Sequence, residues 1–95
     1  MTASTDNVVL IIVLFNPDLD FLENNIQKLK DFSVICVNNT VDKRNNSDIN
    51  KTIKKYQYIS IINNNKNLGL SKALNIGINK SLELNAKKVM LFDQD

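Results

Sequence analysis

The 95-residue sequence predicts a doubly wound α/β fold on a parallel four-stranded sheet. Three observations lead there. Four short apolar runs rich in β-branched residues alternate with three amphipathic stretches. Each intervening stretch is long enough to carry the chain back for a parallel pairing. The first run, Val8 to Leu14, is apolar throughout, as in a strand covered on both faces. Crossovers between parallel strands are right-handed. A strand order of 3-2-1-4 then puts the reversal of winding beside the first strand, and ligands bind at the carboxyl ends of strands near such a point.

The elements follow in order. Val8 to Leu14 is the first strand, broken by Asn16-Pro17-Asp18, which also caps a helix from about Leu19 to Lys30. Leu22, Ile26 and Leu29 line one face of that helix. Val34 to Val37 is the second strand, ended by Asn38-Asn39-Thr40. Residues 41–48 are polar and read as loop, followed by a weak helix from about Ile49 to Lys55 with Ile49 and Ile53 four apart. Tyr58 to Ile62 is the third strand, and 63–67 a polar loop. Ser71 is the expected cap of a helix running to about Asn85. Its inner stripe is Leu70, Ala73, Leu74, Gly77, Ile78, Ser81 and Leu82. Gly77 inside that helix implies close approach to the sheet, since glycine costs roughly 1 kcal/mol against alanine there. Lys88 to Phe92 is the fourth strand.

Composition excludes several functions. The net charge of +2, with no basic block, argues against nucleic acid as a partner. The absence of histidine removes Ser-His catalysis and His-ligated zinc. Cys36 stands alone in an apolar run and reads as a small buried hydrophobe, not a nucleophile. The longest apolar run is far short of the roughly 20 residues of a membrane span. The expected location is therefore cytoplasmic, with any membrane association through parts of a longer protein. Asparagine is frequent, clustering at Asn38-Asn39, Asn45-Asn46 and Asn63-Asn64-Asn65. These clusters read as compositional bias and as loop markers, because asparagine tolerates left-handed geometry.

The residues that suggest chemistry sit where strands end. Asp93-Gln94-Asp95 follows the fourth apolar run, and two hard carboxylates one residue apart suit a divalent cation that also binds phosphate oxygens. Asn16-Pro17 follows the first strand and Asn38-Asn39 the second. Gly69 allows close backbone approach ahead of the third helix. Each has a plain structural reading too: strand-ending aspartates form turns, Phe15 fills core, and Lys72 is solvated.

Four segments in register resemble family 2 glycosyltransferases of the GT-A fold, most closely bacterial rhamnosyltransferases. Val13-Leu14-Phe15-Asn16-Pro17 resembles V-x-[YF]-N-P, and Val37-Asn38-Asn39-Thr40 resembles V-D-N-[GS]. The stretch Asn67 to Gly77 resembles N-x-G-x-x-x-A-x-N-x-G. Leu91-Phe92-Asp93-Gln94-Asp95 resembles the strand that ends in the D-x-D metal motif. The resemblance covers about Val8 to Asp95. It implies a Rossmann-like three-layer α/β/α domain, truncated after its amino-terminal, nucleotide-sugar-binding part.

The resemblance also implies roles. Phe15, Asn16, Pro17, Asn38, Asn39, Asn67, Gly69 and Asp93 would contact the nucleotide, and Asp93 and Asp95 would hold Mg²⁺ or Mn²⁺. The donor would be dTDP-rhamnose or a UDP-sugar, and the acceptor a cell-surface saccharide. In relatives the position of Asn38 is an aspartate that accepts a hydrogen bond from the base, so the amide puts base identity in question. The catalytic base is expected beyond residue 95, and the 95-residue chain alone is expected to lack turnover. A fourth strand at the sheet edge would promote self-association. The alternative is a non-catalytic, degenerate nucleotide-binding module. A receiver-like signalling domain is disfavoured, because the strand ends where it needs acidic residues hold Phe15-Asn16-Pro17 and Asn63-Asn64-Asn65.

Overall fold

The computed structural model describes residues 8–92. Strands β1 (Val8–Leu14), β2 (Ser33–Asn38), β3 (Ile59–Asn63) and β4 (Lys88–Phe92) alternate with helices α1 (Leu19–Gln27), α2 (Lys43–Ile53) and α3 (Leu70–Glu83). The sheet is parallel throughout, in the order β3-β2-β1-β4. The predicted topology is the observed one.

The period-two alternation of the strands divides the core between the two faces. Leu10, Ile12 and Leu14 of β1 and Val34 and Cys36 of β2 pack with Leu22, Ile26, Leu29, Ile49 and Ile53 of the α1–α2 side. Val9, Ile11, Ile35 and Val37 pack with Ala73 of α3 on the other face. Helices α1 and α2 thus share one face and α3 covers the other, so the winding reverses at β1. Ile11 is buried beneath Gly77, where an added Cβ would lie 2.7 Å from Ile11 Cγ2 and 3.2 Å from Val37 Cγ2. The glycine is the close-approach point expected from the sequence.

The structure corrects several element boundaries. Helix α1 stops at Gln27, and the next residues form tighter turns, with Lys28 N bonded to Asn25 O and Leu29 N to Ile26 O. Helix α2 begins at Lys43, so most of the polar stretch 41–48 is helix and not loop. Asp42 caps it by accepting from Asn45 N at 2.9 Å. Its first six residues lack apolar side chains, yet Asn46 and Asn50 continue the helical spacing of Ile49 and Ile53 with amides in place of methyls. Helix α3 begins at Leu70 after Gly69, without a side-chain cap, so Ser71 is inside the helix. It ends at Glu83, because Asn85 takes φ 61° while Asn85 N bonds Leu82 O and Ala86 N bonds Ser81 O. Strand β3 runs one residue later than expected, to include Asn63. Leu70 and Leu82, expected on the inner stripe, are exposed.

Tyr56 ties the first face together. Its hydroxyl donates to Glu23 Oε2 and accepts from Gln27 Nε2 at 3.0 Å, and Lys55 Nζ lies 3.1 Å from the same carboxylate. Among the described residues β4 pairs only with β1, and Met90, Leu91 and Phe92 are exposed. No described helix is long and apolar enough to cross a membrane.

Candidate functional site

The carboxyl edge of the sheet gathers the loops after β1, β2 and β3 and the start of α3. Alternation continues past the end of β2 and sorts two adjacent asparagines to opposite faces. Asn38 follows Val34 and Cys36 on the α2 side, and Asn39 falls on the α3 side.

Asn38 is fully buried. Its Nδ2 donates to Asn46 Oδ1 at 2.7 Å and to Asn63 Oδ1 at 3.0 Å. Its Oδ1 accepts from Thr40 N at 3.1 Å. Asn63 is its register partner on β3, and neighbours in register share a face. Asn63 and Asn50 exchange amide hydrogen bonds, Asn50 also donates to Asn46 O, and Asn46 Nδ2 donates to Thr40 O. Both hydrogens of Asn38 are therefore spent inside the protein.

Asn39 is 2% exposed and links three segments. Its backbone N donates to Leu14 O, its Oδ1 accepts from Asn64 Nδ2 at 2.7 Å, and its Nδ2 donates to Gly69 O at 3.3 Å. Thr40, also buried, accepts the backbone N–H of Asn16 on Oγ1 at 2.9 Å. That bond holds Asn16 at φ 46°, a left-handed geometry asparagine accepts. Every described loop at this edge is thus fixed to the loop after β2.

The remaining expected site residues take distinct places. Phe15 is 45% exposed and Asn16 exposed, with Pro17 half-buried beside them. Asn67 is exposed and its Oδ1 accepts from Gly69 N at 3.0 Å. Gly69 has φ 82°, which favours glycine although a Cβ would meet nothing within 4 Å. Lys72 is exposed. Asp93 and Asp95 lie outside the described residues. The structure brings together Asn39 with Gly69 and Asn16 with Thr40, and turns Asn38 inward from the rim.

Sequence reasoning missed Thr40, Asn46, Asn50, Asn63 and Asn64 as members of this edge. For Asn46, Asn63 and Asn64 the signal is present in the asparagine clusters, which taken alone indicate compositional bias and loops; Thr40 and Asn50 carry no such signal. In physical terms, an amide carries two donors and an acceptor and bridges several backbone ends where a methyl cannot.

The described part of this edge carries charges of both signs, on Asp18, Asp42 and Lys72. Of its carboxylates, Asp18 caps α1 and Asp42 caps α2. Among the described residues no group of three or more His, Cys, Asp or Glu could hold a metal ion. Burial pushes the Cys36 thiol up to about 12, which keeps it protonated and inert. The described part of the edge offers an exposed ring at Phe15, amides and backbone groups as means of binding and orienting, while the carboxylates Asp18 and Asp42 are engaged as helix caps.

Comparison with known proteins agrees with this architecture. The model of glycosyl transferase family 2 matches residues 9–95. A dTDP-rhamnosyl transferase, RfbF, of Shigella flexneri is 37% identical over 89 residues, a stretch that covers 94% of this chain and 29% of the relative. The chain therefore spans under a third of that relative's length.

Proposed function

The chain belongs to glycosyl transferase family 2, and from that membership we propose that it forms the nucleotide-sugar-binding part of a longer, inverting glycosyltransferase. The donor is a nucleotide-diphospho-sugar, dTDP-rhamnose or a UDP-sugar, and the acceptor a cell-surface saccharide. The observation that carries the reading is the locked carboxyl edge beside β1, where the winding reverses.

In this reading Phe15, Asn16 and Pro17 offer the nucleoside an apolar and polar wall. Asn67 and Gly69 shape the approach to α3, whose amino end favours an anion. Asn39 holds Gly69 against the sheet. The departing diphosphate calls for positive charge. Asp93 and Asp95 are two hard oxygen donors, following a strand that runs parallel to β1. Such a pair fits Mg²⁺ or Mn²⁺, which takes one or two carboxylates and completes its shell with phosphate oxygens and water. When bound, the cation neutralises charge on the leaving group. The acceptor hydroxyl attacks the anomeric carbon in a single displacement, deprotonated by a carboxylate from beyond residue 95.

The test is calorimetric titration of the chain with dTDP and UDP, with and without Mn²⁺. Metal-dependent binding that Asp95→Ala abolishes is the expected result. Failure of both nucleotides to bind at millimolar concentration overturns it and favours a degenerate module. That second reading draws on the inward-turned amide of Asn38, where the V-D-N-[GS] pattern that this segment resembles has an acid.

A further inference from the structure

We infer that Asn38 is a positioning residue that requires an amide, and does not recognise the donor's base. The inference deepens the donor-binding reading by removing from its base contacts the side chain that the family pattern would assign there. Three observations carry it. Asn38 is completely buried, so the rim of the edge is formed by other groups. Both of its hydrogens are given to acceptors, Asn46 Oδ1 and Asn63 Oδ1. Those acceptors cannot reverse without loss, because Asn46 Nδ2 already serves Thr40 O and Asn63 Nδ2 serves Asn50 Oδ1.

The network therefore has a sense: a donor is required at 38, and acceptors at 46 and 63. A carboxylate at 38 would supply no hydrogen and would face two carbonyl oxygens in a buried site. It would still accept from Thr40 N, but it would lose its hold on Asn46 of α2 and on Asn63 at the end of β3. Among the described residues no charged side chain hydrogen-bonds to Asn38. Its partners on α2 and β3 are uncharged, and the charged residues Asp42 ahead of α2 and Lys43, Arg44, Asp48 and Lys51 on it are exposed.

The experiment compares thermal unfolding of the 95-residue chain with that of Asn38→Asp and Asn46→Asp between pH 4 and 8. A carboxylate at 46 still accepts from Asn38 and gives up only its bond to Thr40 O. The expected result is a Tm lowered by roughly 10 °C or more for Asn38→Asp at pH 7, and by a few degrees for Asn46→Asp. The Asn38→Asp deficit shrinks as pH falls. The desolvated carboxyl has a raised folded-state pKa, so the folded chain takes up the proton first and regains a donor. If Asn38→Asp fails to fold at any pH while Asn46→Asp folds, the assignment stands. Equal stability of Asn38→Asp and wild type at pH 7, or an equal loss in both variants, overturns it. So does tighter dTDP binding by Asn38→Asp, which would mark the residue as a base acceptor. Absence of dTDP binding by the wild type refutes donor binding alone, since the unfolding comparison decides the role of Asn38 without a ligand.

Discussion

Asn38 and Asn63 stand opposite each other in the β2–β3 register, and the first donates its amide hydrogen to the second at 3.0 Å. Side chains that share a register position in parallel strands point to the same face, so this contact follows from topology. It closes the carboxyl end of the sheet with a polar cross-link where a strand pair would otherwise fray. Asn50 reaches the same oxygen from α2, and the helix is thereby fixed to the strand ends.

Removing Asn63 leaves a hydrogen of Asn38 unpaired in a buried site. Asn63→Ala is expected to lower stability by about 1–3 kcal/mol, the cost of an orphaned donor. Asn67→Ala breaks one exposed bond to Gly69 N and is expected to cost about 0.5–1 kcal/mol. Urea unfolding with unchanged slopes measures both, and equal losses would show that water replaces the acceptor Asn63 gives to buried Asn38.

Gly77→Ala sets two effects against each other. Alanine gains roughly 1 kcal/mol of helix propensity. Its methyl would sit 2.7 Å from Cγ2 of Ile11, a β-branched core residue that is itself fully buried. Overpacking of this kind costs about 1–3 kcal/mol, so the net change is expected to be destabilising. A rise in the urea midpoint would show that α3 can move off the sheet.

Glu23 supplies a pH signature on the opposite side of the molecule. The Tyr56 hydroxyl, then the Lys55 ammonium, hold its carboxyl below the ordinary value of 4.5. A depressed folded-state pKa gives stability that is present above about pH 4.5 and lost as pH falls through the folded value. The Tm difference between wild type and Glu23→Gln should therefore narrow below that pH. A difference that stays constant from pH 7 to pH 3 would contradict it.

Strand β4 exposes Met90, Leu91 and Phe92, with Leu91 at 57%, on a strand that has one neighbour among the described residues. An apolar edge of this kind pairs readily with another chain. Sedimentation velocity of the isolated chain is expected to show mass rising with concentration, reduced by Leu91→Lys. A monomer at every concentration would count against it.

Strand order and the two-faced core were legible because period-two apolar runs and crossover lengths leave few topologies. Gly77 was legible for a similar reason, as a costly residue on a buried stripe. The start of α2 was not, because residues 43–48 are all polar, Asn46 occupies the inward face there, and such polarity looks like loop. The inward turn of Asn38 was hidden for the same reason: an amide at a strand end reads as a binding group until its partners on α2 and β3 are known. Asp93 and Asp95 stood out in sequence, and they lie outside the described residues.

The central claim is that the carboxyl edge of the sheet receives the nucleotide. Amide chemical-shift mapping of the ¹⁵N-labelled chain with dTDP and Mg²⁺ tests it most directly. Shifts concentrated at Phe15, Asn16, Gly69, Leu70 and Ser71, with Ser33, Ile59 and Lys88 at the opposite edge unchanged, are the predicted result. Shifts centred on Ser33, Ile59 and Lys88 would contradict it.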